Sequence, residues 1–378
     1  MKKIFLALAA VALFAACTEK TELTKSGLDP KNFENVYNDQ PTALYTLSNK
    51  NGMEVCVTNF GGRIVSIMVP DANGDFKDVV LGFDKVSDYF PENNETDFGA
   101  AIGRYANRIN LGQLTVDGVF YQLPQNNFGH CLHGGTTGWQ YQVYEMVECS
   151  ENRLKLKRFS PDGDNGFPGN VTAYVTYTLT DDNRIDMQYE ATTDAPTVIN
   201  LTNHAYFNLS GDPQNHCVTD DVLYIAASGF TPVDDTFMTD GSILPVAGTA
   251  MDFTTAHKIG DMIDADYDQV KNGNGYDHNW VLDTAGDISK VAVSYVCEDT
   301  GIKLDIYTDE PGMQVYSGNF LDGTVTGKKG VVYQFRHAMV FESQHYPDSP
   351  NKPEWPSVVL RPGETYTSHC IYAFSVTK

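Results

Sequence analysis

Six short segments of the chain, rich in Gly, Asn and His, hold the residues that could do chemistry. They are GRYANRI (103–109), CLHGG (131–135), NLTNHAYFNL (200–209), GYDHNWVL (275–282), TDEPGMQVYSGNF (308–320) and FESQHYPDSPN (341–351). Aromatic rings can stack on the apolar face of a sugar, while Asn, Arg, His and carboxylate groups hydrogen-bond to its hydroxyls. These segments therefore favour a carbohydrate site that also contains groups able to transfer protons.

In their order and spacing, the six segments resemble those of the aldose 1-epimerase (galactose mutarotase) family. SPDGDNGFPGNV (160–171) and EWPSVVLRPGETY (354–366) match family patterns too, so the resemblance covers about residues 41–378. It implies an isomerase that interconverts the α- and β-anomers of free aldohexoses such as glucose and galactose. The implied reaction opens and recloses the pyranose ring and requires no cofactor.

The resemblance also implies roles for individual residues. Ring opening needs a base for the C1 hydroxyl proton and an acid for the ring oxygen. Glu342 matches the family base and His204 the family acid. The matching substrate-binding positions are Asn107, Arg108, His133, Tyr206, Asp277 and Gln314. The residue types agree with this division, because a glutamate is ionised at neutral pH and a histidine beside acidic neighbours can hold a proton.

Taken singly, none of these residues identifies a function. A lone histidine such as His204 is more often a satisfied core residue, and a lone glutamate such as Glu342 is more often solvated. Arg104 and Arg108 could pair with surface carboxylates, and only Arg108 matches a family site position. His278 is expected to point away from the site, because adjacent strand residues face opposite sides. The assignment therefore depends on the ordered set of motifs.

Three other functions remain open at this stage. The first is an epimerase of hexose 6-phosphates, which the lack of an additional basic cluster disfavours. The second is a catalytically silent sugar-binding β-sandwich, which has no need of an acid–base pair. The third is a glycoside hydrolase or lyase, which would need two opposed carboxylates across a glycosidic bond.

The elements around these motifs have the pattern of β-strands. In VTAYVTYTL (171–179) apolar residues alternate with mostly polar ones, and Asp117-Gly118 is a two-residue hairpin signal. Residues 291–308 predict a second hairpin, and one helix is predicted near Thr254–Ile263. We therefore predict an all-β fold, a large antiparallel β-sandwich rather than a barrel, as one domain over residues 41–378. The resemblance implies the supersandwich of the galactose mutarotases.

The charge balance restricts the partners. The chain has 26 Lys and Arg against 49 Asp and Glu, a formal net charge of −23. It would be repelled by nucleic acids and by anionic lipid surfaces, so a neutral small molecule is the expected partner. The acidic loops 71–75, 162–165 and 261–268 could hold a structural calcium ion (Ca2+), although solvated acidic turns are the preferred interpretation. We expect a monomer.

The N-terminus has the pattern of an export signal. Lys2 and Lys3 precede the apolar run Ile4–Ala15, which is too short for a permanent membrane span. Residues 1–16 resemble a bacterial lipoprotein signal peptide, with lipid attached to Cys17, and the alternative is an ordinary secretory peptide cut nearby. Either interpretation predicts export, to the periplasm or the cell surface. The polar residues 17–40 are predicted to be a flexible tether.

Six further cysteines are scattered singly through the chain: Cys56, Cys131, Cys149, Cys217, Cys297 and Cys370. None forms a CxxC or a metal-type pair. Buried thiols are therefore favoured over disulfide bridges, and no metal site is predicted.

Overall fold

Strands form most of the regular structure in residues 22–377, the range that the computed structural model describes. In chain order they are β1 (Asn35–Tyr37), β2 (Gln40–Thr42), β3 (Leu44–Ser48), β4 (Glu54–Thr58), β5 (Arg63–Pro70), β6 (Phe76–Asp78), β7 (Ala100–Ile102), β8 (Arg108–Ile109), β9 (Gln113–Val116), β10 (Val119–Gln122), β11 (Cys131–Leu132), β12 (Glu145–Cys149), β13 (Arg153–Ser160), β14 (Val171–Leu179), β15 (Arg184–Thr193), β16 (Thr197–Val198), β17 (Thr202–His204), β18 (Tyr206–Phe207), β19 (Val222–Ile225), β20 (Gly229–Thr231), β21 (Leu244–Pro245), β22 (His257–Lys258), β23 (Asp277–Val281), β24 (Val293–Val296), β25 (Ile302–Thr308), β26 (Gly312–Tyr316), β27 (Met339–Gln344), β28 (Val359–Leu360) and β29 (Tyr366–Val376). The helical segments of this range are the α-helix α1 (Asp268–Asn272) and short 3-10 helices at Pro30–Phe33, Val86–Tyr89, Asn110–Gly112, Trp139–Tyr141, Asp164–Gly166, Val218–Asp220, Ile259–Asp261, Lys328–Gly330 and Ser349–Asn351.

The largest sheet has nine antiparallel strands in the order β12–β13–β14–β15–β29–β25–β24–β19–β22. Its strands alternate between a buried and a more exposed face, as the sequence pattern predicts. In β14 the odd-numbered residues from Val171 to Leu179 are at most 2% exposed and belong to the main core. The alternation prediction for residues 171–179 is therefore confirmed.

A second sheet has six antiparallel strands in the order β18–β27–β26–β23–β20–β21. One of its faces packs on the nine-stranded sheet. The Phe207 ring lies 5.1 Å from that of Tyr372, and the Phe341 ring lies 5.5 Å from that of Tyr295, between ring centroids. These contacts join the two sheets in one apolar core. The predicted all-β antiparallel sandwich is thus confirmed.

A four-stranded sheet, β3–β4–β5–β6, is formed by an N-terminal part of the chain. Its side chains Val55 and Ile67 belong to the main core. Both predicted hairpins occur. Strands β9 and β10 pair around Asp117 and Gly118, whose φ angles of 50° and 80° are the left-handed values that a tight type I′ turn requires. Strands β24 and β25 pair through residues 297–301.

The segment expected to be a tether differs from that prediction from residue 24 onward. Leu28 and Phe33 are 1% and 0% exposed and belong to an apolar cluster with Phe60 and Phe90. The Thr42 hydroxyl donates a 2.7 Å hydrogen bond to the Phe33 carbonyl oxygen. Two isolated apolar anchors create no periodicity, so the sequence pattern does not reveal them. The predicted signal peptide and Cys17 lie outside the described residues.

The helix predicted near Thr254–Ile263 is wrong. This stretch contains strand β22 and the 3-10 turn Ile259–Asp261. Asp252 accepts hydrogen bonds from both the backbone N–H and the hydroxyl of Thr254, so Thr254 closes a local turn instead of capping a helix. Pairing of β22 with β19 then takes precedence over the weak helical pattern.

The expectation of buried thiols is confirmed for Cys56, Cys131, Cys297 and Cys370. Cys217 is a free thiol that is only half-buried, and the expectation is wrong for Cys149, which is disulfide-bonded. Within residues 22–377 no helix is long and apolar enough to cross a membrane.

Candidate active site

The register of the six-stranded sheet aligns four polar side chains in a row. Thr231 pairs with Asn279, Asn279 with Gln314, and Gln314 with Glu342, across strands β20, β23, β26 and β27. Directly paired residues share a face of the sheet, and their neighbours along each strand point to the other face. Phe341 accordingly lies in the main core while Glu342 lies on the polar face. We call these four residues the polar row.

His204 approaches Glu342 from strand β17, which pairs with β7. The His204 Nε2 and Glu342 Oε1 atoms lie 3.5 Å apart, and their side chains are 7% and 3% exposed. The His204 ring lies between those of His133 and Tyr206, at centroid distances of 5.1 Å and 5.2 Å. The two predicted catalytic residues are thus adjacent, buried and enclosed by two predicted binding residues.

The backbone around CLHGG fixes the tautomer of His133. Its Nδ1 accepts a 3.1 Å hydrogen bond from the Asn107 backbone N–H, and burial holds its pKa well below the usual range. A neutral imidazole whose Nδ1 accepts must carry its proton on Nε2, so His133 can donate to a ligand. Gly134 follows at a φ of 81°, where a Cβ would collide with the Gly103 carbonyl oxygen.

Arg108 contributes the positive charge of the site. Its Nε and Nη2 donate to the Asn127 Oδ1 at 3.2 Å and 2.9 Å, and its guanidinium lies 4.9 Å from the Phe237 ring centroid. Arg104 is also buried, but it donates to the carbonyl oxygens of Pro168 and Gly169. The surface-pairing alternative for Arg104 is therefore wrong, and this side chain has a structural role.

Asp277 and Gln314 complete the set of predicted residues. The Gln314 amide donates a 2.6 Å hydrogen bond to Asp277 Oδ1, which fixes the Asp277 side chain beside the polar row. His278 is fully buried on the other face, near Trp280, as alternation predicts. The structure therefore brings all eight predicted site residues into one region.

Burial dominates the electrostatics of His204 and Glu342. It raises the pKa of Glu342 well above the usual range, with Asp277 and Asp97 adding to the effect and Arg108 opposing it. Burial also lowers the pKa of His204 to about 3. The expectations that Glu342 is ionised and that His204 holds a proton are therefore not met in this structure, because desolvation favours the neutral form of both groups. A proton shared by the pair resides on Glu342.

Sequence reasoning missed four polar residues of this region. Asp97 lies close to His133 and His204, with candidate ligand atoms of all three within 4.8 Å, and burial raises its pKa to about 6. The others are Thr231, Asn279 and Gln344. Asn279 and Gln344 lie two residues after predicted site residues on the same strands, so strand alternation could have identified them.

Several buried polar atoms on this face have no hydrogen-bond partner among the described residues. They are Glu342 Oε2, His204 Nδ1, Gln314 Oε1, Thr231 Oγ1 and both amide atoms of Asn279 and Gln344. Buried polar groups in proteins are almost always satisfied, so a concentration of such atoms indicates a surface that binds polar groups. The arrangement can therefore hold several hydroxyls around a proton-transferring pair.

Two groups in the described part of the chain could offer three metal ligands. One is Asp97, His133 and His204 in the site, and the other is His216, Asp221 and Cys297 elsewhere. None of the three acidic loops considered for calcium contributes a side chain to either group.

Comparison with known proteins places these features in context. The aldose 1-epimerase family model matches residues 43–373. The aldose 1-epimerase of Escherichia coli (strain K12) is 40% identical over 337 residues, which cover 89% of this chain and 96% of the relative. The galactose mutarotase of Rattus norvegicus is 39% identical over 328 residues, which cover 86% and 92%. Every site residue named above lies within the matched range.

Two solved structures of related proteins are similar to this fold. The GalM/aldose epimerase homologue from C. elegans has a TM-score of 0.82 and 32% identity, covering 89% of this chain and 100% of that one. The galactose 1-epimerase from Lactobacillus acidophilus NCFM has a TM-score of 0.79 and 28% identity, covering 91% and 97%. The similarity extends over the whole β-sandwich.

Proposed function

The chain belongs to the aldose 1-epimerase family and is an isomerase of aldoses, and on this premise we propose that Glu342 is its base and His204 its acid. The observation that carries this proposal is the buried 3.5 Å approach of His204 Nε2 to Glu342 Oε1. A base and an acid this close can act on the C1 hydroxyl and the ring oxygen of one sugar, because these two oxygens are bonded to the same carbon.

The proposed step conserves protons and electrons. Glu342 takes the C1 hydroxyl proton, the O1 electrons form the C1=O bond, and the bond from C1 to the ring oxygen breaks. The ring oxygen takes a proton from His204. After rotation about C1–C2, the ring hydroxyl attacks the other face of C1, His204 recovers its proton and Glu342 returns its own. The product is the opposite anomer, and the enzyme is unchanged.

The pair can react only when His204 carries the proton and Glu342 is a carboxylate. Burial favours the neutral form of both groups, so the proton must move from Glu342 to His204 before the carboxylate can act as a base. A hydroxyl that donates to Glu342 stabilises the carboxylate, and a ring oxygen that accepts from His204 stabilises the imidazolium. Sugar binding thus prepares the reactive state.

Six residues are proposed to hold the sugar hydroxyls: Asn107, Arg108, His133, Tyr206, Asp277 and Gln314. Supporting this role, His133 presents a fixed Nε2–H donor, and Gln314 has an unpartnered Oε1 acceptor beside Asp277. The donors and acceptors surround the position where the sugar would contact Glu342.

Polarimetry of freshly dissolved α-glucose and α-galactose tests this function. The protein should accelerate the approach to the equilibrium rotation, and methyl α-glucoside should not change, because it has no C1 hydroxyl proton to remove. Cleavage of the methyl glycoside would instead indicate a hydrolase. Sugar binding without acceleration would indicate a silent binding protein.

Neutral aldohexoses are the proposed substrates, in preference to hexose 6-phosphates. The guanidinium of Arg108 already faces the carboxyl groups of Asp277 and Glu342, and the chain carries a net charge of −23. A phosphate would therefore meet repulsion on approach. Glucose 6-phosphate should react more slowly than glucose at low salt, with a smaller difference at high salt. Equal rates at low salt would favour the phosphorylated-sugar epimerase.

We further propose that the protein is exported as a monomeric lipoprotein anchored through Cys17. Support comes from the sequence, where Lys2 and Lys3, an apolar run and small residues precede Cys17. Cys17→Ala should move the protein from the membrane fraction to a soluble or unprocessed form, and the neighbouring Thr18→Ala variant serves as a control. Unchanged fractionation of Cys17→Ala would favour plain secretion.

A further inference from the structure

Three phenylalanines from distant segments meet at the surface beside the site. The Phe128 and Phe237 ring centroids are 5.3 Å apart, and Phe320 lies 5.6 Å from Phe237 and 6.5 Å from Phe128. Phe128 and Phe320 are 52% and 53% exposed, while Phe237 is 7% exposed between them. We call these three residues the aromatic rim. Its two outer rings present uncharged aromatic surface to solvent.

The backbone holds two of these rings in an unfavourable conformation. Phe128 and Phe237 have φ angles of 46° and 62°, in the left-handed region that bulky residues rarely adopt. Such conformations persist where the surrounding structure fixes them, and they concentrate at ligand-binding sites. The positions of both rings are therefore determined by the fold.

The aromatic rim is continuous with the site on two sides. Phe237 stacks under the guanidinium of Arg108 at 4.9 Å. Phe320 stacks on Tyr316 at 6.2 Å, and its backbone N–H donates to the Tyr316 hydroxyl at 2.7 Å. The Tyr316 ring in turn lies 6.0 Å from that of Tyr206. A ligand that leaves the sugar site past Arg108 or Tyr316 thus meets the rim.

The chemistry of the rim suits a neutral sugar ring. A pyranose has an apolar face of C–H groups that stacks on aromatic rings, and it carries no charge that the acidic chain would repel. The loop that bears Phe237 also borders a cleft lined by Asn110, Asp240 and Asn272, whose side chains can hydrogen-bond to hydroxyls. Aromatic surface beside amide and carboxylate groups is the same combination that characterises the main site.

We propose that the aromatic rim binds the second ring of an oligosaccharide whose reducing-end ring occupies the catalytic site. The inference rests on the proposed function and adds to it a second binding subsite outside the catalytic site. Phe128 and Phe320 form this subsite by stacking on the second ring. They do not touch the reacting atoms.

The test compares glucose with maltose, cellobiose and lactose, which all have glucose as the reducing ring. The wild type should turn over at least one disaccharide with a kcat/KM equal to or above that of glucose. For this disaccharide, Phe128→Ala and Phe320→Ala should each lower kcat/KM by about 2- to 10-fold, the range that one aromatic contact of about 0.5–1.5 kcal/mol supports. Activity on glucose should change by less than about 2-fold, because the proposed stacking energy acts on the second ring.

Matched variants separate stacking from other effects. Phe320→Trp should retain disaccharide activity and Phe320→Leu should not, because only the aromatic side chain stacks. Phe159→Ala removes a ring that is 51% exposed on strand β13, and it should leave all four sugars unaffected.

The outcomes distinguish this inference from the proposed function. Absence of activity on glucose would refute the function itself. Normal glucose activity with equal losses on glucose and disaccharide, or with no loss on either, would overturn the rim as a subsite. Rejection of all three disaccharides by the wild type would overturn it too. If the rim variants instead changed only the sedimentation behaviour, the rim would be a contact between copies of the chain.

Discussion

Two histidine–carboxylate pairs, one fully buried and one with a half-buried histidine, behave in opposite ways in this molecule. In the site, His204 and Glu342 are 3.5 Å apart, and Glu342 Oε2 and His204 Nδ1 have no partner among the described residues. On the nine-stranded sheet side, His216 Nε2 lies 2.8 Å from Asp221 Oδ1, and Tyr295 donates its hydroxyl to Asp221 Oδ2 at 2.5 Å. The residue types are nearly the same, but the second pair has its hydrogen bonds completed.

The two pairs differ in both burial and hydrogen bonding, and together these set the pKa of each histidine. Hydrogen bonds to Asp221 and Cys297 raise the pKa of His216 to about 10, whereas desolvation lowers that of His204 to about 3. The raised pKa keeps the His216 imidazole protonated, and its contact with Asp221 is expected to stabilise the fold. The His204 pair lacks hydrogen-bond partners at Glu342 Oε2 and His204 Nδ1, and sugar hydroxyls could supply them.

The largest effect is expected when the incomplete pair loses Glu342, its proposed base. Glu342→Gln keeps the shape of the side chain but cannot take a proton, so turnover should fall by about 10²–10⁴, the range typical of positioned acid–base groups. Polarimetry with α-glucose measures this loss. Asp221→Asn makes the same chemical change in the complete pair and should leave turnover within about 2-fold. A Glu342→Gln variant with wild-type rates would remove Glu342 from the mechanism.

Removal of the acid should have the next largest effect. His204→Asn should lower kcat by about 10²-fold or more and change KM little, because proton donation matters most in the transition state. Steady-state polarimetry separates the two parameters. A rise in KM alone would make His204 a binding residue, with His133 the first alternative acid.

The complete pair should be the more important one for stability. Asp221→Asn should lower the free energy of unfolding by about 1.5–3 kcal/mol, the range for hydrogen bonds to charged groups. Urea denaturation near pH 6 measures it. An unchanged unfolding midpoint would show that the His216 contacts contribute nothing to the fold.

The contribution of the complete pair should depend on pH in one direction. Because the folded pKa of His216 is raised from 6.5 to about 10, its stabilising effect is fully present below pH 6.5 and is lost as the pH rises through about 10. The groups that face His216 are Asp221, Cys297 and Asp299. The stability difference between the wild type and Asp221→Asn should therefore shrink between about pH 6 and pH 10. A constant difference would contradict the raised pKa.

The smallest expected effect is on stability, because the incomplete pair should lower the free energy of unfolding. Burial disfavours the Glu342 carboxylate, so Glu342→Gln should raise the free energy of unfolding at about pH 8, by about 0.5–2 kcal/mol. Urea denaturation of the same inactive variant measures this gain. A loss of stability would mean that the carboxylate is better solvated in the folded protein than its burial indicates.

The motifs in the sequence were sufficient to predict that His204 and Glu342 share one site, and alternation was sufficient for strands such as β14. They could not reveal Asp97, which depends on a loop brought beside His133 by the fold, or Thr231, whose place in the polar row depends on pairing between distant strands. The low pKa of His204 could not be predicted from the sequence either. The degree of burial depends on packing in the folded protein, and neighbouring residues in the sequence do not reveal it. The burial of Leu28 and Phe33 could not be predicted either, because two isolated apolar residues create no hydrophobic periodicity.

The polar row has a consequence for how this sequence can change over time. Each of its four side chains comes from a different strand, and a shift by one residue would turn Glu342 into the core and expose Phe341 in its place. A single-residue insertion or deletion inside β27 therefore exchanges the two faces of the strand, while one in a connecting loop leaves them as they are. We expect length variation in descendants of this chain to be confined to the loops, and any change within the strands of the row to come in multiples of two.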